Sequence, residues 1–301
     1  MHIYAYLFSR SNLFKSKIHL PSHWEGKKIF NLNYRLIPDS SFRSSLNSSL
    51  SSCRNCRLSS LNFFNKKHNT NIQYIDAEDP LTNFLSFDHP LAIESHCAYH
   101  KSIFNNMNKH DLLKLFDFND FIKNLDIYKY LEDIQGTYNV AHLRKKDLLL
   151  PGNKTHGFVN SGCFYKAFEK FDIDPNSVHW ISDSLIESPR SIFDFKVNSF
   201  YKNYKWKYPE GSSFDSSFGF DWLFDFLTMY FSQNLFRSFS SFSFWAGFLS
   251  MNRETPTQVF SAQISDNETA HTKIVKADFV QGNHVHWASA LHPGVPDLII
   301  T

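Results

Sequence analysis

The chain has 301 residues, 42% of them hydrophobic and 20% charged, the balance of a soluble globular protein long enough for two ordinary domains. A net charge of +2 implies no general polyanion partner, so nucleic acid is not an expected ligand. Four cysteines, Cys53, Cys56, Cys97 and Cys163, are too few and too uneven for a disulfide scaffold, and 32 phenylalanines predict a Phe-rich core.

Residues 1–8 are apolar and aromatic, but no basic stretch precedes them and no small-residue cleavage site follows, so no signal peptide is expected. The longest apolar stretch, 218–249, is interrupted by Asp221, Asp225, Gln233 and Arg237 and does not read as a membrane span. These features predict a cytoplasmic protein, with peripheral membrane association left open. Apolar runs at 3–8 and 28–32 read as strands of an α/β domain. Residues 38–60 are rich in Ser, Asn and Arg, which predicts a long surface loop or a mobile lid. A further strand is expected at 72–75. The segment 86–100 concentrates polar chemistry in Asp88, His89, Glu94, His96 and His100. Residues 103–135 keep helical spacing through Leu112, Leu113, Leu115 and Phe116, then Phe121, Ile122 and Leu125, and Gly136 suits a helix C-terminus. The first domain is therefore 1–135.

From Tyr138 the pattern becomes strand–helix alternation, which predicts a mostly parallel sheet. Tyr138, Val140 and His142 alternate along a first strand that ends at Arg144. Ser161 is placed to cap a helix holding Phe164, Tyr165, Ala167 and Phe168, and Asp174-Pro175 breaks it. Residues 178–181 form a second strand, 220–231 an apolar helix, and 235–239 a third strand leading into a helix through Trp245 and Leu249. The second domain is set at 136–265, and 266–301 is a tail, a candidate to pack back on the N-terminal domain.

Ligands of open α/β sheets bind beyond the carboxyl ends of the strands. Arg144 stands at such an end, where a guanidinium can hold two phosphate oxygens in a bidentate fork. Ser240, Ser241 and Ser243 stand at the start of the last helix, where unpaired N–H groups and the positive dipole end favour anions. One of these serines is accounted for by simple capping. Asp183 follows the second strand, where an acid can accept from a ribose hydroxyl or a base, or simply begin a loop. Cys53-Arg-Asn-Cys56 is a lone CxxC. Cys97 with His96 and His100 would complete a zinc site, against which stands a reading of surface thiols and histidines in a loop.

His142-Leu-Arg144-Lys-Lys-Asp147 resembles the His-x-Arg-Arg-Gly-Asp motif of α-1,2-fucosyltransferases and their α-1,6- and protein O-fucosyltransferase relatives. The resemblance continues in order through Phe164-Tyr165-Lys166-Ala167, through Trp180-Ile181-Ser182-Asp183-Ser184, and through Ser240-Ser241-Phe242-Ser243-Phe244-Trp245-Ala246-Gly247. It covers about half the chain, and the last motif is the most specific.

The resemblance implies an α/β, GT-B-like fold of two Rossmann-like domains facing across a cleft, with the donor nucleotide on the C-terminal one. It implies inverting transfer of a sugar, L-fucose from GDP-fucose, to a glycan or glycolipid acceptor, with no metal and no cofactor beyond the nucleotide sugar. Carried over by position, Arg144 holds the β-phosphate, His142 contacts the nucleotide, Ser240 and Ser241 hold the diphosphate from the helix start, and Asp183, Gln233, Phe242 and Ser243 are further donor-binding candidates. Glu94 and Asp88, with His89 behind them, are candidates for the base that takes the acceptor proton. Two departures stand out. The family's glycine-rich Gly-Gly-Leu-Gly-Asn-Gln loop has no counterpart in residues 1–40, and Gln233 aligns with an Asp that contacts guanine in some relatives. Two alternatives therefore stay open: a different nucleotide sugar, or a non-catalytic nucleotide- or glycan-binding relative.

Overall fold

The computed structural model describes residues 19–21, 25–31, 35–37, 66, 73–76, 91–94, 109–144, 158–182, 221–264, 274–285 and 298–300. The expected lid at 38–60 lies outside them. The chain divides into two compact units, Met1–Asp120 and Phe121–Thr301.

In the first unit β1 (His19–Pro21) pairs in parallel with β2 (Arg35–Ile37), and β3 (Gln73–Asp76) in parallel with β4 (Leu91–Glu94). The strand expected at 72–75 is thus β3. In the run expected at 28–32, the described residues 28–31 do not form a strand. Glu25–Lys28 forms a 3-10 turn, and the Gly26 carbonyl accepts from the N–H groups of Ile29 and Phe30 at 3.2 and 3.0 Å. Glycine and two lysines give that segment no alternation to sustain a ladder. Phe30 makes a single antiparallel bridge to Phe118, stacks on its ring at 5.5 Å and meets Phe116 edge-on at 5.4 Å.

The helical spacing of 103–135 is realised as α1 (Lys109–Leu115), α2 (Asp120–Lys123) and α3 (Asp126–Asp133). Gly136 follows with φ +72°, a left-handed backbone that glycine adopts without penalty, and its N–H reaches the Phe231 carbonyl at 3.1 Å.

The second unit continues with β5 (Asn139–Leu143), β6 (Phe158–Val159), α4 (Ser161–Lys170), β7 (Val178–Ser182), α5 (Asp221–Phe231), β8 (Asn234–Arg237), α6 (Ser241–Leu249), β9 (Gln258–Ile264), β10 (Ile274–Val275), β11 (Ala277–Gln281), β12 (Asn283–Val285) and β13 (Leu298–Ile300). The N-cap of α4 is Asn160 rather than Ser161: its side chain accepts from the Gly162 N–H at 2.8 Å. Asn and Ser cap equally well, and here Asn160 alone has the extended backbone the position needs. Asp174 accepts from the Asn176 N–H and starts a 3-10 turn at Pro175, which separates α4 from β7.

Among the described residues the main sheet has five strands in the order β11-β9-β8-β5-β7. The four strands β9, β8, β5 and β7 run parallel, and β11 closes one edge antiparallel to β9. This is an α/β fold with a mixed, mostly parallel sheet, as the strand–helix alternation predicts. The tail from 266 contributes β11 to this sheet.

Register sorts the side chains into two faces. Ala141 lies beside Trp180 and Phe236, Phe236 beside Phe260, and Ala262 beside Phe279. These residues join Leu143 with Phe164, Ala167 and Phe168 of α4 in one apolar core. Phe236 stacks on Phe260 at 4.5 Å and meets Phe168 edge-on at 5.0 Å, so the expected Phe-rich core is present. The opposite face presents Val140, His142, Leu235, Arg237, Val259 and Ser261, and α6 packs there. Gly247 makes that approach possible: a Cβ on it would sit 2.8 Å from Val259 Cγ2 and 3.5 Å from Leu235 Cδ2. Helix α5 lies beside α6 and receives α3, where Tyr128 meets Phe231 edge-on at 5.0 Å. The apolar stretch 218–249 is thereby divided among α5, β8 and α6, and among the described residues no helix is long and apolar enough to cross a membrane.

This packing makes a prediction for α6. Gly247→Ala should destabilise by about 1 kcal/mol, because overpacking of about 2 kcal/mol outweighs alanine's helix preference. In a Val259→Ala background the same change should become neutral or stabilising. Denaturant unfolding of the four chains checks this, and an equal cost in both backgrounds would show that the contact does not set the approach.

His179 of β7 is buried, and burial lowers its pKa from 6.5 to about 4. The unfolded chain then binds a proton that the folded chain refuses. Stability is complete above pH 6.5 and falls as the pH drops toward 4, by about 3 kcal/mol for this group. Melting curves from pH 4 to 7 should show this slope in the wild type and a flatter one in His179→Gln.

Candidate functional site

The chain runs from β5 to β7 on one side and returns to β8 on the other side of β5. The carboxyl ends of β5 and β8 are therefore the topological switch point, where open α/β sheets bind ligands. Hydroxyl groups tie three strand ends together there. The Ser238 N–H donates to the His142 carbonyl at 3.0 Å, and the Arg144 N–H donates to Ser238 Oγ at 3.0 Å. Ser182 Oγ at the end of β7 donates to the Leu143 carbonyl at 2.7 Å. Arg144 is half-buried immediately beyond β5.

Helix α6 starts at this same edge. Ser240 is its N-cap and accepts from the Phe242 N–H at 3.2 Å. Ser243 is fully buried, and its hydroxyl turns back to donate to the Ser240 carbonyl at 3.3 Å. Two of the three serines thus serve the helix itself, while Ser241, the first helical residue, is half-buried at the edge. Phe242 is also half-buried. Its ring lies 6.1 Å from His142, 5.5 Å from Phe226 and 6.4 Å from Trp222, the last two on α5.

His142 is buried and stands beside Arg237 in the β5–β8 register, with Ser261 next in line on β9. Arg237 is only 4% exposed. Its Nε donates to Asn283 Oδ1 at 3.0 Å, Nη1 to the Ser238 carbonyl at 3.4 Å, and the guanidinium lies 5.5 Å from the Phe244 ring centre. Asn283 Nδ2 donates in turn to the Phe244 carbonyl at 3.0 Å. One amide therefore links β8, β12 and α6. In the sequence Arg237 shows only as a charge ending the apolar run Leu235-Phe236, and nothing marks Asn283 as its neighbour in space.

The edge thus gathers His142, Arg144, Ser240, Ser241, Phe242 and Ser243. Gln233 does not join them. It is exposed at the amino end of β8, with its N–H on the Tyr138 carbonyl and its carbonyl accepting from Gln258, both at 2.8 Å. Four strand residues separate it from the other edge, about 13 Å. A motif carries no strand direction, so the edge to which Gln233 belongs is not legible from one. Glu94 ends β4 in the first unit, in register with Asp76. Asp88, His89 and Asp183 lie outside the described residues, as do Cys53, Cys56, His96, Cys97 and His100. Among the described residues no three His, Cys, Asp or Glu side chains converge to hold a metal ion.

Chemically, the carboxyl edge offers a guanidinium, a helix N-terminus with its positive dipole end, and partly exposed aromatic surface. Comparison with models of known protein families gives no match, and comparison with curated protein sequences gives none.

The Arg237–Asn283 link has a measurable consequence. Asn283→Ala removes an acceptor from a buried guanidinium and a donor from a buried carbonyl, so it should cost about 2–3 kcal/mol in urea or guanidinium unfolding. A loss below about 0.5 kcal/mol would mean that the amide does not hold α6 on the sheet.

Proposed function

We propose that this protein is a glycosyltransferase whose C-terminal unit binds the diphosphate of a nucleotide sugar at the carboxyl edge of β5 and β8. The observation that carries the reading is the junction at the switch point: Arg144 follows the end of β5, is fastened to β8 through Ser238, and shares that edge with the Ser240-capped start of α6. The likeness of the His142–Asp147 and Ser240–Gly247 motifs to fucosyltransferases makes L-fucose from GDP-fucose the first donor to test. In that reading the fold is GT-B-like, with Rossmann-like domains, and the N-terminal unit serves the glycan or glycolipid acceptor.

The reaction breaks the bond from the anomeric carbon to the diphosphate oxygen. The acceptor oxygen attacks from the opposite face, inverting the centre, and its proton passes to a base for which Glu94 and Asp88 are candidates. Arg144 and the α6 N-terminus stabilise charge as it gathers on the leaving diphosphate, an electrostatic task that they can perform without a metal. The position of Gln233 at the amino edge favours a second reading, in which the same chemistry uses another nucleotide sugar.

Arg144→Lys tests the proposal. Lysine keeps the charge and loses the planar fork, so kcat for transfer or donor hydrolysis should fall about a hundredfold with little change in donor KM. Arg144→Ala should fall further, and melting temperatures should stay near the wild type. In parallel, GDP at about 100 times its Kd should stabilise the protein by roughly 2.7 kcal/mol without added metal. Turnover of Arg144→Lys within twofold of the wild type removes Arg144 from the reaction. Stabilisation by nucleotide only with Mg²⁺ or Mn²⁺ sinks the metal-independent mechanism.

A further inference from the structure

We infer that Trp222 and Phe242 form a stacking platform for the nucleobase of the donor, an inference that rests on the proposed diphosphate site beside it. Trp222 is the second residue of α5 and Phe242 the second residue of α6. Helical side chains lean toward the N-terminus of their helix, so both rings lie over helix starts. Those starts are on one edge, since α6 leaves the carboxyl end of β8 and α5 runs back toward its amino end.

The cluster is graded from inside to outside. Phe226 and His142 are buried, at 2% and 7% exposure, and Phe242 leans on both, with ring centres 5.5 and 6.1 Å away. Phe242 and Trp222 are only half-buried and meet at 6.4 Å with their planes 70° apart. The inner rings thus fix Phe242, and Phe242 braces the indole. A braced, partly exposed indole has a π-face that any nucleobase can stack on without base-specific hydrogen bonds. Its place is fixed by chain distance: Phe242 is two residues from the Ser240 cap, and His142 is two residues from Arg144. A nucleoside diphosphate has this layout, with a planar base a few ångströms from two phosphates. Gln233, at the far edge, is then not needed to hold the base.

The test measures Kd by calorimetry for GDP, UDP and inorganic pyrophosphate on the full chain without metal, in the wild type, Trp222→Ala and Trp222→Phe. Trp222→Ala should weaken GDP by roughly tenfold and leave pyrophosphate within twofold, because stacking serves the base alone. UDP should weaken in the same variant, since the indole reads no base-specific group. Trp222→Phe should recover most of the GDP affinity, which a merely structural loss at α5 would not explain. Equal weakening of GDP and pyrophosphate in Trp222→Ala, or no weakening of GDP, overturns the platform while leaving the diphosphate site in place. Wild-type protein that binds GDP no tighter than pyrophosphate overturns the platform in the same way. If the wild type binds none of the three, the diphosphate site falls and the platform with it.

Discussion

The pairing of β5 with β8 is the constraint on which the second unit depends. Its ladder sets Ala141 beside Phe236 on one face and His142 beside Arg237 on the other. A slip of one residue would move Phe236 toward α6 and drive Arg237 among Phe164, Phe168 and Phe260. Burying a guanidinium in an aromatic core without acceptors costs several kcal/mol, so the alternative register is strongly excluded. The same pairing then continues past the ladder through Ser238, which bonds to the backbone on both sides of Leu143. Specifying the core and fastening Arg144 to the edge are consequences of one register.

The second constraint is the distance between α6 and the sheet. Gly247 removes the side chain that would meet Val259, and Asn283 fills the adjoining space with an amide that serves Arg237 and the Phe244 carbonyl. The close approach therefore leaves the buried cation with an acceptor. It also holds α6 rigidly, so that its first turn presents Ser240, Ser241 and Phe242 at a fixed height above the strand ends.

Much of the second unit is legible in the sequence because its signals are local. Alternation from Tyr138, helical spacing around Phe164, and serines before Phe244-Trp245 each report on a single element, and the parallel sheet follows from their order. Edge pairing is not local. The antiparallel partner of β9 is β11, and Val280 and Ser261 have no motif that predicts their meeting. The cap of α4 shifts by one residue because Asn160 and Ser161 carry the same capping chemistry, and only backbone geometry chooses between them. Gln233 shows the limit for the site. A motif places a residue along the chain, but the edge to which it belongs depends on strand direction.

Strand direction also explains why arginines at the two edges of this sheet have different surroundings. In a parallel α/β sheet helices end near the amino edge and begin near the carboxyl edge. At the amino edge, the Phe231 carbonyl that ends α5 accepts from Gly136, while Arg253 and Thr257 reach the Tyr230 carbonyl. Arg253 is further held by Gln135 and by the rings of Tyr230 and Phe231. A cation there is matched by carbonyl groups and by the negative end of a helix dipole, so it is a fastening within the protein. At the carboxyl edge the dipole is reversed: the start of α6 is positive, and Arg144 and Arg237 stand on its side of the sheet or at its end. Arg237 there donates to Asn283 Oδ1 and to the Ser238 carbonyl rather than to the carbonyls that end α5. The winding of the chain therefore gives the carboxyl edge a field that favours an anion, whichever residues then refine its identity.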